Sequence, residues 1–133
     1  MDKYASALAL VGRLALAGIF VIFGFTKISG FAGMVAYASS VGVPFPELAI
    51  AIAIIVELLG GIMLVIGFKT KWVALAITLF LIPVTYYFHT DFTNPVNMIM
   101  LWKNVSIIGG MLVLAANGAG KYSLDSMLAK KSY

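Results

Sequence analysis

The sequence contains no cysteine and a single histidine, His89, among its 133 residues. Without cysteine, the chain has no disulfide framework, no thiolate metal site and no dithiol relay. One histidine excludes a bis-histidine haem within one chain, and a metal site built by this protein alone is not expected. Any redox or ligand chemistry therefore depends on other groups.

Charge is also scarce. Charged residues make up 11% of the chain and hydrophobic residues 62%, whereas roughly a quarter of a soluble domain is charged. Too little polar surface remains to cover a water-facing globule, so we predict an integral membrane protein with the lipid bilayer as its partner. The net charge of +4 comes from lysines in loops and the tail, so nucleic acid is not an expected partner.

Four apolar stretches are present, at residues 4–26, 48–68, 72–88 and 97–116. Each is close to the length that crosses a bilayer, about 17–25 residues, and in lipid each must be helical. We therefore predict an all-α, integral membrane four-helix bundle that forms a single domain over residues 1–133. Arg13 interrupts the first stretch, which predicts a retained span rather than a cleaved signal peptide.

Most lysines lie on one side of this four-span arrangement, whereas Lys27 is alone on the other side. This asymmetry predicts cytoplasmic N and C termini in a multi-pass protein of the cell (cytoplasmic) membrane. The lysines on the predicted cytoplasmic side are Lys3, Lys69, Lys71, Lys121, Lys130 and Lys131. Between helices 1 and 2, residues 27–47 are apolar but too short to span, which predicts an interfacial or re-entrant helix ending at Ser39 and Ser40.

Ionisable residues interrupt three of the spans, as Arg13, Glu57 and Lys103. At 1.5 Å per residue from the outer ends, Lys103 is about 9 Å deep, Glu57 about 14 Å and Arg13 about 20 Å. We therefore expect Glu57 to meet both cations inside the bundle. The excess positive charge favours an anionic or electron-rich ligand, while the alternative is a buried network that only fixes helix register.

Further polar residues lie close to this predicted cluster. Lys27 shares a helical face with Arg13, Asn104 adjoins Lys103, and His89 follows the third span. A lone histidine at the interface is also compatible with simple solvation. The predicted ligand-binding residues are Arg13, Lys27, Glu57, His89, Lys103 and Asn104, and no catalytic residue is assigned.

Several short motifs in order along the chain resemble the DoxX family of membrane proteins. They are Gly24–Ile28 after Arg13, Gly42–Pro46, Ile55–Gly61, Gly67–Lys71, Phe88-His89, Lys103-Asn104 with Gly109-Gly110, and Gly118–Asp125. The resemblance implies a four-helix membrane protein. The family takes its name from a small subunit associated with quinol oxidase and thiosulfate:quinone oxidoreductase activity, and related members are membrane partners of thiosulfate-handling and oxidative-stress proteins.

The cation excess and this resemblance together predict a redox-associated subunit that binds a quinone or a small sulfur anion at a buried Arg/Glu/Lys/Asn site. Quinone is the one cofactor indicated, and the expected protein partner is a redox protein or a second copy. Because the chain cannot itself ligate an electron-carrying cofactor, it would assist a quinone-linked oxidoreductase rather than catalyse alone. The alternatives are a structural or assembly subunit and a small proton-coupled transporter, although cations beside Glu57 would make it a poor proton exchanger.

Overall fold

The computed structural model describes residues 2–132, and within this range the ordered elements are all helices. They are α1 (Lys3–Ser29), α2 (Phe31–Ser40), α3 (Pro46–Ile66), α4 (Thr70–Phe88), α5 (Val96–Asn117) and α6 (Leu124–Lys131). Helices α1, α3, α4 and α5 are long and apolar enough to cross a membrane. The predicted all-α, four-span architecture is therefore confirmed.

The surface of the bundle is covered by large apolar side chains, such as Leu79 at 68% exposure and Ile99 at 68%. Lipid solvates such side chains, whereas water would not. The buried core is small and comes from all four spans. It consists of Ala17, Phe20, Leu64, Val73, Ala74, Ile77, Leu81 and Met111.

Two glycines bring the backbones of α1 and α3 into close contact. A Cβ on Gly24 would lie 2.7 Å from the Leu58 nitrogen, and a Cβ on Gly61 would lie 3.0 Å from the Val21 nitrogen. Only a residue without a side chain fits at such separations. These two contacts fix the register of α1 against α3.

This register offsets the first span from the second. Leu58 lies about 18 Å from the start of α3, whereas only about 7.5 Å of α1 remains after Gly24. Helix α1 therefore ends at Ser29, about 10 Å below the start of α3, and α2 packs against Pro46–Ile54, the first part of α3. The predicted short helix between the first two spans is present and ends at Ser40 as expected.

Helix α3 is not a regular α-helix throughout. Residues Ile55–Leu59 form one turn of π-helix with Glu57 at its centre. A π turn adds one residue to a helical turn, so the side chains after it point from different faces of the helix. Such turns are frequent at functional sites. The nearby Gly60 packs against Ile77 of α4, so the π turn lies where α3 changes partners.

Helix α6 closes the end of the bundle that carries both termini, which we call the terminal end. The Asp125 carboxylate accepts hydrogen bonds from the backbone N–H groups of Lys69 (2.7 Å) and Thr70 (2.9 Å). These bonds cap the start of α4, where N–H groups lack helical partners. Burial acts to raise the pKa of Asp125, but the hydrogen bonds from Thr70 and Lys69 outweigh it, and the pKa lies below its ordinary value.

Candidate functional site

An ion pair between α1 and α3 lies at the centre of the candidate site. Lys27 Nζ is 2.7 Å from Glu57 Oε2, and the two side chains are only 16% and 9% exposed. Charges this far from solvent are stable only when they are paired. The sequence predicted that Glu57 would meet Arg13 and Lys103, whereas the cation that touches it is Lys27.

The offset of α1 explains this choice of partner. Lys27 lies one turn beyond Gly24, which touches the backbone of Leu58 in the π turn. The close contact places Lys27 about 13 Å below the start of α3, at the level of Ile55. Counting depth from the ends of the apolar stretches wrongly placed Lys27 outside the spans.

Arg13 does not join the cluster, and its predicted contact with Glu57 is wrong. Its guanidinium donates hydrogen bonds to the carbonyl oxygens of Ala119, Tyr122 (2.7 Å) and Val65 (3.3 Å) at the terminal end. The separation from Lys27 is about 21 Å along α1, because the same offset moves Arg13 towards this end. Arg13 therefore joins α1 to the segment that precedes α6.

A polar cavity of about 130 Å³ adjoins the ion pair and brings together the other predicted residues. It is lined by Ile19, Phe20, Phe23, Lys27, Glu57, Leu81, Val84, His89, Lys103, Asn104 and Ile107. Asn104 is 3% exposed, and its Nδ2 donates to Thr85 Oγ1 at 3.0 Å. Five of the six predicted ligand-binding residues therefore share one cavity, and Arg13 alone lies elsewhere.

An aromatic cavity of about 190 Å³ also adjoins the ion pair. Its lining residues are Lys27, Met34, Tyr37, Ile50, Ala53, Glu57, Phe80, Val84, Phe88 and His89. Lys27, Glu57, Val84 and His89 line both cavities, and we call these four residues the partition. The ion pair therefore borders both spaces.

The aromatic cavity was not predicted from the sequence. Tyr37 of α2 and Phe88 of α4 close it with their rings 5.2 Å apart and tilted, and Met34 lies one turn before Tyr37. The helical spacing of Met34, Tyr37 and Ala38 indicates an inward-facing stripe of α2. That stripe was the available signal, although it does not identify the partner helix.

His89 has an unusual environment at the end of α4. Its Nδ1 is fully buried, and no hydrogen-bond partner for it lies among residues 2–132. Burial lowers the pKa of His89, the positive charge of Lys103 lowers it further, and the Asn97 side chain opposes them without reversing the shift. A neutral imidazole at pH 7 can donate from one nitrogen and accept at the other.

The site combines an excess of positive charge with several hydrogen-bond donors. In their ordinary charged forms, Lys27 and Lys103 outnumber the Glu57 carboxylate, so the excess inferred from sequence persists with Lys27 in place of Arg13. Low-polarity surroundings strengthen the attraction of such a site for negative charge. The arrangement is suited to holding the oxygen atoms of a small, electron-rich ligand.

Comparison with known proteins identifies relatives over most of the chain. A sequence model of the DoxX family matches residues 8–90, a range that includes Lys27, Glu57 and His89 but ends before Lys103. Inner membrane protein YqjF of Escherichia coli (strain K12) is 37% identical over 131 residues, which is 98% of this chain and 99% of YqjF. Inner membrane protein YphA of the same organism is 42% identical over 98 residues, 70% of each chain. No solved structure matches the chain.

Both relatives are named for the inner membrane, and the chain has four helices that can span it. The protein is therefore a multi-pass protein of the cytoplasmic membrane. The side that the termini face stays a prediction from the lysine distribution. The family match covers more than half of the sequence, and one relative is similar over almost its whole length. The chain belongs to the DoxX family.

Proposed function

We propose that the protein is a redox-associated membrane subunit that binds a quinone or a small sulfur anion at the partition. The observation that carries this proposal is the buried Lys27–Glu57 pair with a second cation, Lys103, beside the same cavity. A purely structural ion pair needs one cation for one carboxylate. A further cation in a low-dielectric site attracts electron-rich atoms.

The groups around the partition match the oxygens of such ligands. Lys103 donates from its ammonium group, and the neutral His89 donates or accepts. Hydrogen bonds to charged groups are stronger than neutral ones. A quinone carbonyl or a sulfur oxyanion would therefore be oriented by Lys103 and His89, with Asn104 beside them.

The chain itself lacks the residues for carrying electrons. It has no cysteine and one histidine, so iron–sulfur clusters and bis-histidine haem need another protein. The proposed role is to bind the ligand next to a redox partner. Membership of the DoxX family, whose named subunit is associated with quinone-linked activity, supports this assignment.

Equilibrium binding to the purified protein in lipid nanodiscs tests the proposal. The probes are a tritiated methoxylated benzoquinone without a side chain and radiolabelled thiosulfate. Lys103→Met is expected to lower the affinity for the bound probe about 10- to 150-fold, because a hydrogen bond to a charged group contributes about 1.5–3 kcal/mol. Lys130→Met, in the exposed tail helix, is the matched control and should leave binding unchanged.

Two results would overturn the proposal. One is that neither probe binds the wild-type protein at concentrations up to about 1 mM, an affinity of only about −4 kcal/mol. The other is that Lys103→Met and Lys130→Met have the same affinity as the wild type, which would place the ligand away from the partition.

A further inference from the structure

An apolar groove runs along the bundle between α3 and α4. Its volume is about 260 Å³, and its lining includes Val43, Pro44, Ala49, Ile52, Pro83 and Tyr87. The groove exists because the two helices pack closely only in part: Gly60 touches Ile77 of α4, whereas Pro46–Ile54 packs mainly against α1 and α2. Small side chains at Ala49 and Ala53 widen the gap.

This groove adjoins the aromatic cavity, which itself adjoins the partition. Ile50, Ala53, Phe80, Val84 and Phe88 line both the groove and the aromatic cavity. Val84 also lines the polar cavity. A ligand lying along this path would contact apolar side chains at one end and the Lys27–Glu57 pair at the other.

The groove opens towards the lipid. Ile52, which forms part of its wall, is 47% exposed on a helix that spans the membrane. The lining offers a single polar side-chain group, the Tyr87 hydroxyl. A small hydrated anion would not be stabilised along such a path, because it would lose its hydration shell without new hydrogen-bond donors in its place. An apolar chain, by contrast, exchanges lipid contacts for similar protein contacts.

We infer that the ligand of this site is amphipathic and comes from the bilayer: a single oxygen-bearing ring with an apolar chain, as in membrane quinones. The ring lies in the aromatic cavity, against the Tyr37–Phe88 pair, and the chain leaves through the groove. Its oxygen lies at the partition and is directed towards Lys103 in the adjoining polar cavity. The aromatic cavity, at about 190 Å³, is somewhat larger than the cavity of about 150 Å³ that accepts benzene in another protein. This inference rests on the proposed function and selects the quinone over the sulfur anion.

Blocking the groove tests this assignment without altering the ring site. Ala49 lines the groove but not the aromatic cavity, so Ala49→Phe fills the path of the chain alone. The probes are the benzoquinone without a side chain and the same ring with a ten-carbon chain, both tritiated, measured in nanodiscs of one lipid composition. Affinities are compared as variant-to-wild-type ratios, in which partitioning of the probe into lipid cancels.

For Ala49→Phe we expect the affinity for the chain-bearing probe to fall about tenfold or more, since overfilling a packed site is costly. The affinity for the chainless ring should not change. Ala76→Phe, on the exposed face of α4, should change neither. Ile52→Trp at the mouth of the groove should reproduce the effect, and it serves as the test if Ala49→Phe does not fold.

The possible failures are distinguishable. If the chainless ring binds and both groove variants leave the chain-bearing probe unaffected, the groove assignment is wrong and the proposed function stands. Equal weakening of both probes, or binding of thiosulfate by wild-type protein that ignores both quinones, also refutes the groove. If no probe of either class binds, the proposed function fails as well.

Discussion

The balance of charges at the partition makes a specific prediction about stability. In the wild type, two lysines face one carboxylate. Glu57→Leu would leave both lysines without it, whereas Lys27→Met would leave Glu57 with Lys103. The double variant would leave only Lys103. If the pairing of charges controls stability, adding the second substitution to Glu57→Leu should restore stability rather than reduce it further.

The magnitudes follow from burial. Removing one partner of a buried pair typically destabilises a protein by about 3–5 kcal/mol, because the remaining charge has no compensation. Glu57 and Lys27 side chains are 9% and 16% exposed, so Glu57→Leu should reach that range. Lys27→Met should lose only about 1–2 kcal/mol, since Lys103 can still compensate the carboxylate. The double variant should recover about 1–3 kcal/mol relative to Glu57→Leu.

The free energy of unfolding can be compared by titrating the purified variants in mild detergent with a denaturing detergent and following tryptophan fluorescence. Glu47→Gln, which changes an exposed carboxylate at the start of α3, controls for a general effect of losing negative charge. The reasoning is refuted if the double variant is as unstable as the sum of the two single losses. It is equally refuted if Glu57→Leu matches Glu47→Gln in stability.

Three further predictions concern packing and the terminal end. Gly24→Ala places a Cβ 2.7 Å from the Leu58 nitrogen and should destabilise the protein by about 1–3 kcal/mol, whereas Gly18→Ala, with nothing within 4 Å of its Cβ, should be neutral or stabilising; the same denaturation titration compares them. Asp125 has a lowered pKa in the folded protein, so its stabilising effect is present above its unfolded pKa of about 3.9 and is lost as the pH falls through the folded value; Asp125→Asn should remove this acid-dependent part of the thermal stability. Arg13→Gln removes the charged donors that bind the carbonyl oxygens of the segment before α6, which we call the Arg13 clamp. Proteases should therefore cleave the segment that follows Asn117 faster than in the wild type. An equal cleavage rate would contradict the clamp.

Much of the architecture was accessible from hydropathy because the bilayer imposes strong rules. Spans need a minimum length, and their backbones must be helical, so the four spans and the short helix ending at Ser40 were predicted correctly. Burial of Glu57 followed from the same reasoning. These features depend on each segment separately and not on how segments fit together.

The identity of the cation beside Glu57 was beyond this reasoning. The depths of the ionisable residues were counted as though all spans began at one level of the membrane. In the structure, α1 is shifted along α3 so that Gly24 contacts Leu58 and Gly61 contacts Val21. Glycines on an inward face indicate close packing, but they do not say which residue lies opposite. The π turn at Ile55–Leu59 has no recognised sequence signal either, and it helps to set the direction of Glu57.

The clamp at Arg13 has a consequence for the order in which the protein is assembled. Arg13 is synthesised before its carbonyl partners Ala119 and Tyr122, which follow 106 and 109 residues later. The first helix can therefore enter the membrane early, but the hydrogen bonds of Arg13 cannot form until these later residues have been synthesised. Tags or truncations at the C terminus would therefore affect the packing of the first helix, although that helix is synthesised long before the C-terminal residues.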